Sequence, residues 1–207
     1  MFLQGGLSGL FSARARRQPK ILERVSTNLQ RSETMHHSEN SYHATPYDIN
    51  ANGFYFSTLE EYQEKAEKHT NIYGQPVEEF EIQFIDGDYP ELFRELEINQ
   101  ANLNIWFEYF EELEEEQALK CLFLSSDRGM PIEEIKEFDL DEIHLFEGTA
   151  KEYAENYLEE TGMLEQIPEN LRYYFDYDAF ARDMVIGSDI AEFDAPNGTR
   201  YIVPQNF

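Results

Sequence analysis

Glu79-Phe-Glu-Ile-Gln-Phe-Ile-Asp86 alternates cleanly, with Phe80, Ile82 and Phe84 on one face and Glu79, Glu81 and Gln83 on the other. A period of two is the signature of a strand with one buried and one wet face. Upstream, Phe54-Tyr55-Phe56 reads as a shorter strand ending at Ser57. Ser57 and Glu60 stand three residues apart, as in a capping box. They open an expected helix through about His69 with Leu59, Tyr62 and Ala66 on its apolar stripe. Downstream the period changes. Leu103, Trp106, Phe107, Phe110 and Leu113 recur at helical spacing, which predicts one helix from Asn102 to about Ser125 with an acidic outer face. Asp127-Arg-Gly-Met-Pro131 ends it, and Pro131 suits the first turn of another helix.

The remaining third repeats the mixture. Glu142-Ile-His-Leu-Phe-Glu147 reads as a strand, and Thr149 with Glu152 as a second capping box for a helix through Glu160 that stops at Gly162. Pro168 again suits a first helical position, followed by apolar Leu171, Tyr174, Phe175, Phe180 and Met184. Ile190–Asp194 and Arg200–Val203 flank Asn197-Gly198, a hairpin turn signal. The fold class is therefore α+β, in two to three small modules with short antiparallel sheets and a helical middle. The expected division is a basic extension at 1–45, an α+β module at 46–98, a helical module at 99–138 and an α+β module at 139–207.

Charge divides the chain in the same way. Residues 46–207 hold 39 Asp and Glu against 10 Lys and Arg, a net charge of −29. A single-sign surface repels itself and opposes the compact state. Direct nucleic-acid binding is excluded, because it requires cations against phosphate. The natural partners are basic clefts or cations. The many Phe and Tyr residues, periodically spaced, argue for a folded acidic body and against an acidic disordered tail. Residues 1–45 are instead net positive, with Arg14, Arg16, Arg17, Lys20, Arg24 and Arg31 against Glu23, Glu33 and Glu39. Their composition fits an organellar transit peptide, a disordered basic arm or an upstream start with Met35 as alternative initiator. They are set aside from the expected fold.

Catalytic constellations are missing. His36, His37 and His43 fall in the basic extension, and His69 and His144 have neither a nucleophile context nor metal-ligand spacing. Asp86-Gly-Asp88 and Asp139-Leu-Asp141 do not continue as calcium loops. Cys121, the only cysteine, reads as a buried apolar thiol. No cofactor, metal or enzymatic activity is expected. No apolar run reaches the ~18 residues of a membrane span, and a soluble cytoplasmic protein is the expectation.

The acids themselves are then the candidate surface: Glu111, Glu112, Glu114, Glu115 and Glu116 first, then Glu133, Glu134, Glu159 and Glu160. A solvated helix face explains any one run but not the shared sign. Duplex DNA carries one charge per about 1.7 Å, so 29 charges match roughly 50 Å of duplex. Carboxylates held on rigid helices could stand in for phosphates. The other reading left open is an acidic scaffold or chaperone for a basic host protein of histone-like character.

Tyr153-Ala-Glu-Asn-Tyr-Leu-Glu-Glu-Thr-Gly162, Ile167-Pro-Glu-Asn-Leu171 and Tyr174-Phe-Asp-Tyr-Asp-Ala-Phe-Ala-Arg-Asp183 resemble the C-terminal part of the ArdA antirestriction proteins. Asn52-Gly53-Phe-Tyr-Phe56 is similar to that family's N-terminal strand. The resemblance spans about Tyr47 to Val203 and departs at the family's opening strand, where His43-Ala-Thr-Pro-Tyr-Asp stands. An altered or truncated first module is the expectation there. The resemblance implies an elongated, three-module, homodimeric DNA mimic carried by mobile elements. It would occupy the DNA-binding groove of type I restriction–modification enzymes and block cleavage, often methylation as well. Within the matching segment, Tyr153, Tyr157, Gly162, Tyr174, Phe175, Tyr177 and Phe180 are structural or form a dimer contact. For Tyr173, Tyr174 and Phe175 the expected place is the core.

Overall fold

Residues 40–205 are described by a computed structural model; the expectations placed on the basic extension before them, including Met35, His36 and His37, lie outside these residues. The first sheet has the order β2-β1-β3, all antiparallel. Its central strand, β1, is Ser41–Pro46; β2 is Phe54–Phe56 and β3 is Phe80–Asp86. Most of β1 thus lies inside the stretch assigned to the basic extension. Tyr42 and Ala44 point into the core while His43 and Thr45 face outward, joined at 2.9 Å. The period-two pattern is there, but with only two apolar residues to carry it. Tyr42 pairs with Phe56 on one side and Phe84 on the other, so a central strand stands where the sequence departs from the family's opening strand.

Helix α1, Leu59–Glu67, covers this sheet through buried Tyr62. Its cap sits one residue later than expected. Thr58 accepts the Glu61 N–H at 3.1 Å, and the Glu61 carboxylate accepts the Ser57 N–H at 2.8 Å. The short α2, Pro90–Glu95, adds Leu92 and Phe93 to the same core. The chain reaches α2 through Gly87 at φ 128°, where a Cβ would lie 2.0 Å from the Asn40 side-chain oxygen.

The long middle helix is in fact broken. A short α3, Leu103–Ile105, runs into a π-helical turn at Trp106–Phe110, and α4 begins afresh at Glu115–Ser126. Glu114 between them is extended (φ −67°, ψ 154°) and forms a capping box with Gln117. The apolar stripe survives the break: Leu103, Trp106 and Phe110 are buried, and Phe93 meets the Trp106 ring edge-on at 5.1 Å. Pro131 caps α5, Ile132–Ile135, from one position outside it.

The second sheet has the order β4-β6-β5, with β4 at Phe146–Glu147, β5 at Ile190–Asp194 and β6 at Arg200–Pro204. The strand expected from Glu142 is thus only two residues long, because Leu140–Glu142 coils into a 3-10 turn capped by Asp139. The hairpin around Asn197-Gly198 is as predicted. Both faces of β6 are covered. Val203 and Tyr201 face α4, whose Phe123 packs edge-on to Phe193 at 5.7 Å. Ile202 faces α6, Ala150–Glu160, and α8, Tyr177–Ile186, meeting Tyr153, Ala154, Ala181 and Met184. Between these helices lies the one-turn α7, Glu169–Arg172, which Pro168 caps from outside. The Thr149–Glu152 box caps α6 as expected, and Gly162 follows its last turn at φ 66°. One buried cluster runs from Tyr42 through Trp106 and Phe123 to Val203, so the segments on either side of residues 98 and 138 share a core.

Candidate functional site

Eight of the nine acidic candidates lie on the surface, for local reasons the sequence sets. Glu114 caps α4 and Glu115 and Glu116 occupy its first turn; Glu133 and Glu134 occupy the first turn of α5. Unpaired N–H groups at a helix start favour such charges. Glu116 is half-committed elsewhere: Lys120, an almost buried cation one turn on, holds it at 2.9 Å. Glu159 and Glu160 are placed against the same physics. They end α6, where the carbonyls point outward and negative charge is disfavoured.

Glu111 is different. It is half-buried and accepts the Tyr42 hydroxyl proton at 3.0 Å, while that hydroxyl oxygen accepts the Trp106 indole N–H at 2.7 Å. Burial pushes its carboxyl above the usual range, and the neighbouring Glu112 adds to the shift. Tyr42, itself wholly buried, is raised for the same first cause. Glu111 therefore ties β1 to the π-helical turn and is not a free surface charge.

The fold gathers acids that are far apart in the chain. Around the Tyr89 hydroxyl, raised first by burial, stand Asp88, Glu115 and Glu114. Around Tyr201, raised first by burial, stand Glu147, Glu115 and Glu116. Asp88, from the turn between β3 and α2, and Glu147, from β4, thus lie close enough to the start of α4 to act on the same tyrosines as its glutamates. No Asp or Glu among the described residues is buried; only Asp48, Glu61, Asp88, Glu91 and Glu111 are partly so. Three of the cations are spent on neighbouring acids, Lys65 on Glu61, Lys151 on Asp178 at 2.8 Å and Arg200 on Asp194 at 2.7 Å.

The other sequence candidates divide. Tyr153 is buried, its hydroxyl pushed up to about 12 by burial, and it stacks on half-buried Tyr157. Phe175, Tyr177 and Phe180 are half-buried, and the rings of Tyr177 and Phe180 pack on Phe175 at 5.1 and 5.8 Å. Tyr173 and Tyr174 are not in the core: they are 89 % and 77 % exposed. Cys121 is buried, its thiol pushed up to about 12. His69 packs on Phe54 and Phe80, and His144 is exposed. Sequence reasoning missed the Trp106–Tyr42–Glu111 chain and the buried Asn71, since neither follows a periodic signal.

A family model for the antirestriction protein ArdA matches residues 14–196. The chain belongs to the ArdA family. No curated protein matches it. ArdA membership makes this an antirestriction protein. The ArdA match also takes in residues from 14 onward, which the charge pattern had set aside. No helix among the described residues is long and apolar enough to cross a membrane.

Proposed function

We propose that the acidic surface of this ArdA protein imitates the phosphates of duplex DNA. By this reading it occupies the DNA-binding groove of a type I restriction–modification enzyme. It blocks cleavage, and methylation where the same groove serves both. The observation that carries the reading is the gathering of carboxylates from separate elements, Asp88, Glu114, Glu115, Glu116 and Glu147, close to the start of α4. Because these acids sit on α4, on β4 and in the short turn before α2, elements that pack on a shared core, they are preorganised, and binding does not spend the energy that bending DNA requires. Glu159 and Glu160, kept where a helix end disfavours them, support a selective reason for the charge beyond solubility.

The active form is taken to be a homodimer, doubling the imitated length. Exposed Leu171, Tyr173 and Tyr174 offer apolar surface for that contact. The test is competition between the purified chain and duplex DNA for a purified type I enzyme. Displacement of DNA, weakening steeply as salt rises, is the expected result. An enzyme that cleaves normally at saturating inhibitor contradicts the reading, and selective capture of nucleoid proteins in its place points to an acidic scaffold.

A further inference from the structure

The loop between β1 and β2 and the loop after α1 meet at one end of the first sheet, and buried Asn71 joins them. Its amide nitrogen donates to Asp48 Oδ2 at 2.7 Å and to Gln75 Oε1 at 3.2 Å. Its Oδ1 accepts the N–H groups of Tyr73 and Gln75, both at 3.0 Å. The loops are also linked directly, Ile72 N–H to the Asn50 carbonyl at 3.0 Å, and a Thr70–Pro76 bridge closes the base. The Asn71 amide, with help from Asn50, holds the Asp48 carboxyl below its usual range. Both loops are therefore fixed by their own hydrogen bonds.

What they hold out is apolar: Tyr47, Ile49, Ile72 and Tyr73 are all exposed, Ile49 at 95 % and Ile72 at 72 %. Loop closure explains Asn71, Gly74 and Asp48, but it asks nothing of two isoleucines and two tyrosines. Such a group on a rigid support, in so charged a chain, marks an interaction site. The rim is acidic. The Tyr47 N–H donates to the Glu79 carbonyl at 3.1 Å, which sets exposed Glu78 and Glu79 beside the tip, with Asp48 beneath it.

We propose that this two-loop tip is an apolar anchor that seats in a basic-rimmed hydrophobic recess on the protein target. The inference rests on the function proposed above and deepens it: the carboxylates steer the encounter, and the tip sets the residence time. Charge decides the occupant. A second copy would bring its own Asp48, Glu78 and Glu79 against this rim, and anionic lipid or nucleic acid would be repelled. A protein recess with a cationic edge satisfies both apolar centre and acidic rim.

The test compares the full chain with Ile49→Ser/Ile72→Ser and with Glu133→Gln/Glu134→Gln. The readout is displacement of a duplex carrying the recognition sequence from a purified type I enzyme, across a salt series. The tip variant should keep its melting temperature, compete roughly tenfold or more weakly, dissociate faster and keep the wild-type salt dependence. The acidic variant should instead show a shallower salt dependence. A tip variant that competes like wild type overturns the anchor while leaving the mimicry intact. Wild-type chain that does not compete at all overturns the mimicry, and the anchor with it. A tip variant that competes normally but no longer self-associates in sedimentation identifies a second copy as occupant and overturns the proposal.

Discussion

At the scale of single residues the chain separates acids that work from acids that hold the fold. Glu111 belongs to the second kind. Its carboxyl is raised by burial, so protonation favours the folded state; that contribution is present at low pH and lost as pH rises through the raised value. Glu111→Gln keeps an acceptor for the Tyr42 hydroxyl without a half-buried charge. The variant should be as stable as wild type or more so at pH 7, by up to about 1 kcal/mol, and thermal melts against pH should show a flatter profile. A loss of competition for the restriction enzyme would return Glu111 to the working surface. Asn71→Ala strands the N–H groups of Tyr73 and Gln75, and should cost about 1–3 kcal/mol in denaturant unfolding.

Secondary-structure elements show how far the sequence could be read. Thr149 with Glu152, the alternation of Phe80, Ile82 and Phe84, and the Asn197-Gly198 turn were all legible, because each is a local rule that the fold obeys. Strand β1 was not, since Ser41–Pro46 has only Tyr42 and Ala44 to signal alternation and adjoins a basic stretch. The break before α4 was hidden as well. Leu113 continues the apolar period, and glutamates read as helix formers, so only the Glu114–Gln117 box reveals the restart. Tyr173 and Tyr174 misled in the opposite sense, because an aromatic pair reads as core until the fold leaves it outside. Nothing periodic marked the Asn71 tip. On α6, Thr149→Ala should cost about 1 kcal/mol through the lost cap. At its other end Glu159→Gln/Glu160→Gln should gain a few tenths of a kcal/mol, as charge leaves an unfavourable helix terminus. If these acids imitate phosphate, the same variant should compete less well despite being more stable. Equal competition would make them plain surface.

The whole molecule carries the consequence of its charge. With 39 acids against 10 bases over residues 46–207, self-repulsion opposes folding at neutral pH. Added salt should therefore raise the melting temperature, since it screens exposed charges beyond a Debye length of about 10 Å at 0.1 M. Falling pH should raise it first, by discharging the surface and protonating Glu111. It should then lower it, because Asp48, Glu61, Glu152 and Asp194 are held below the usual range by hydrogen bonds and cations. Their stabilisation exists above the ordinary carboxylate pKa and is lost as pH falls through the lowered values. The melting temperature should thus peak between about pH 4 and pH 7. Salt that stabilises the fold while weakening its hold on the target distinguishes a working charge from an incidental one. The most direct measurement is the inhibition constant against a type I restriction–modification enzyme, with duplex DNA as competitor, over a tenfold range of salt. DNA-competitive inhibition that weakens steeply with salt, while the protein itself grows more stable, is the predicted result. Inhibition that is salt-independent, or not competitive with DNA, would contradict phosphate imitation.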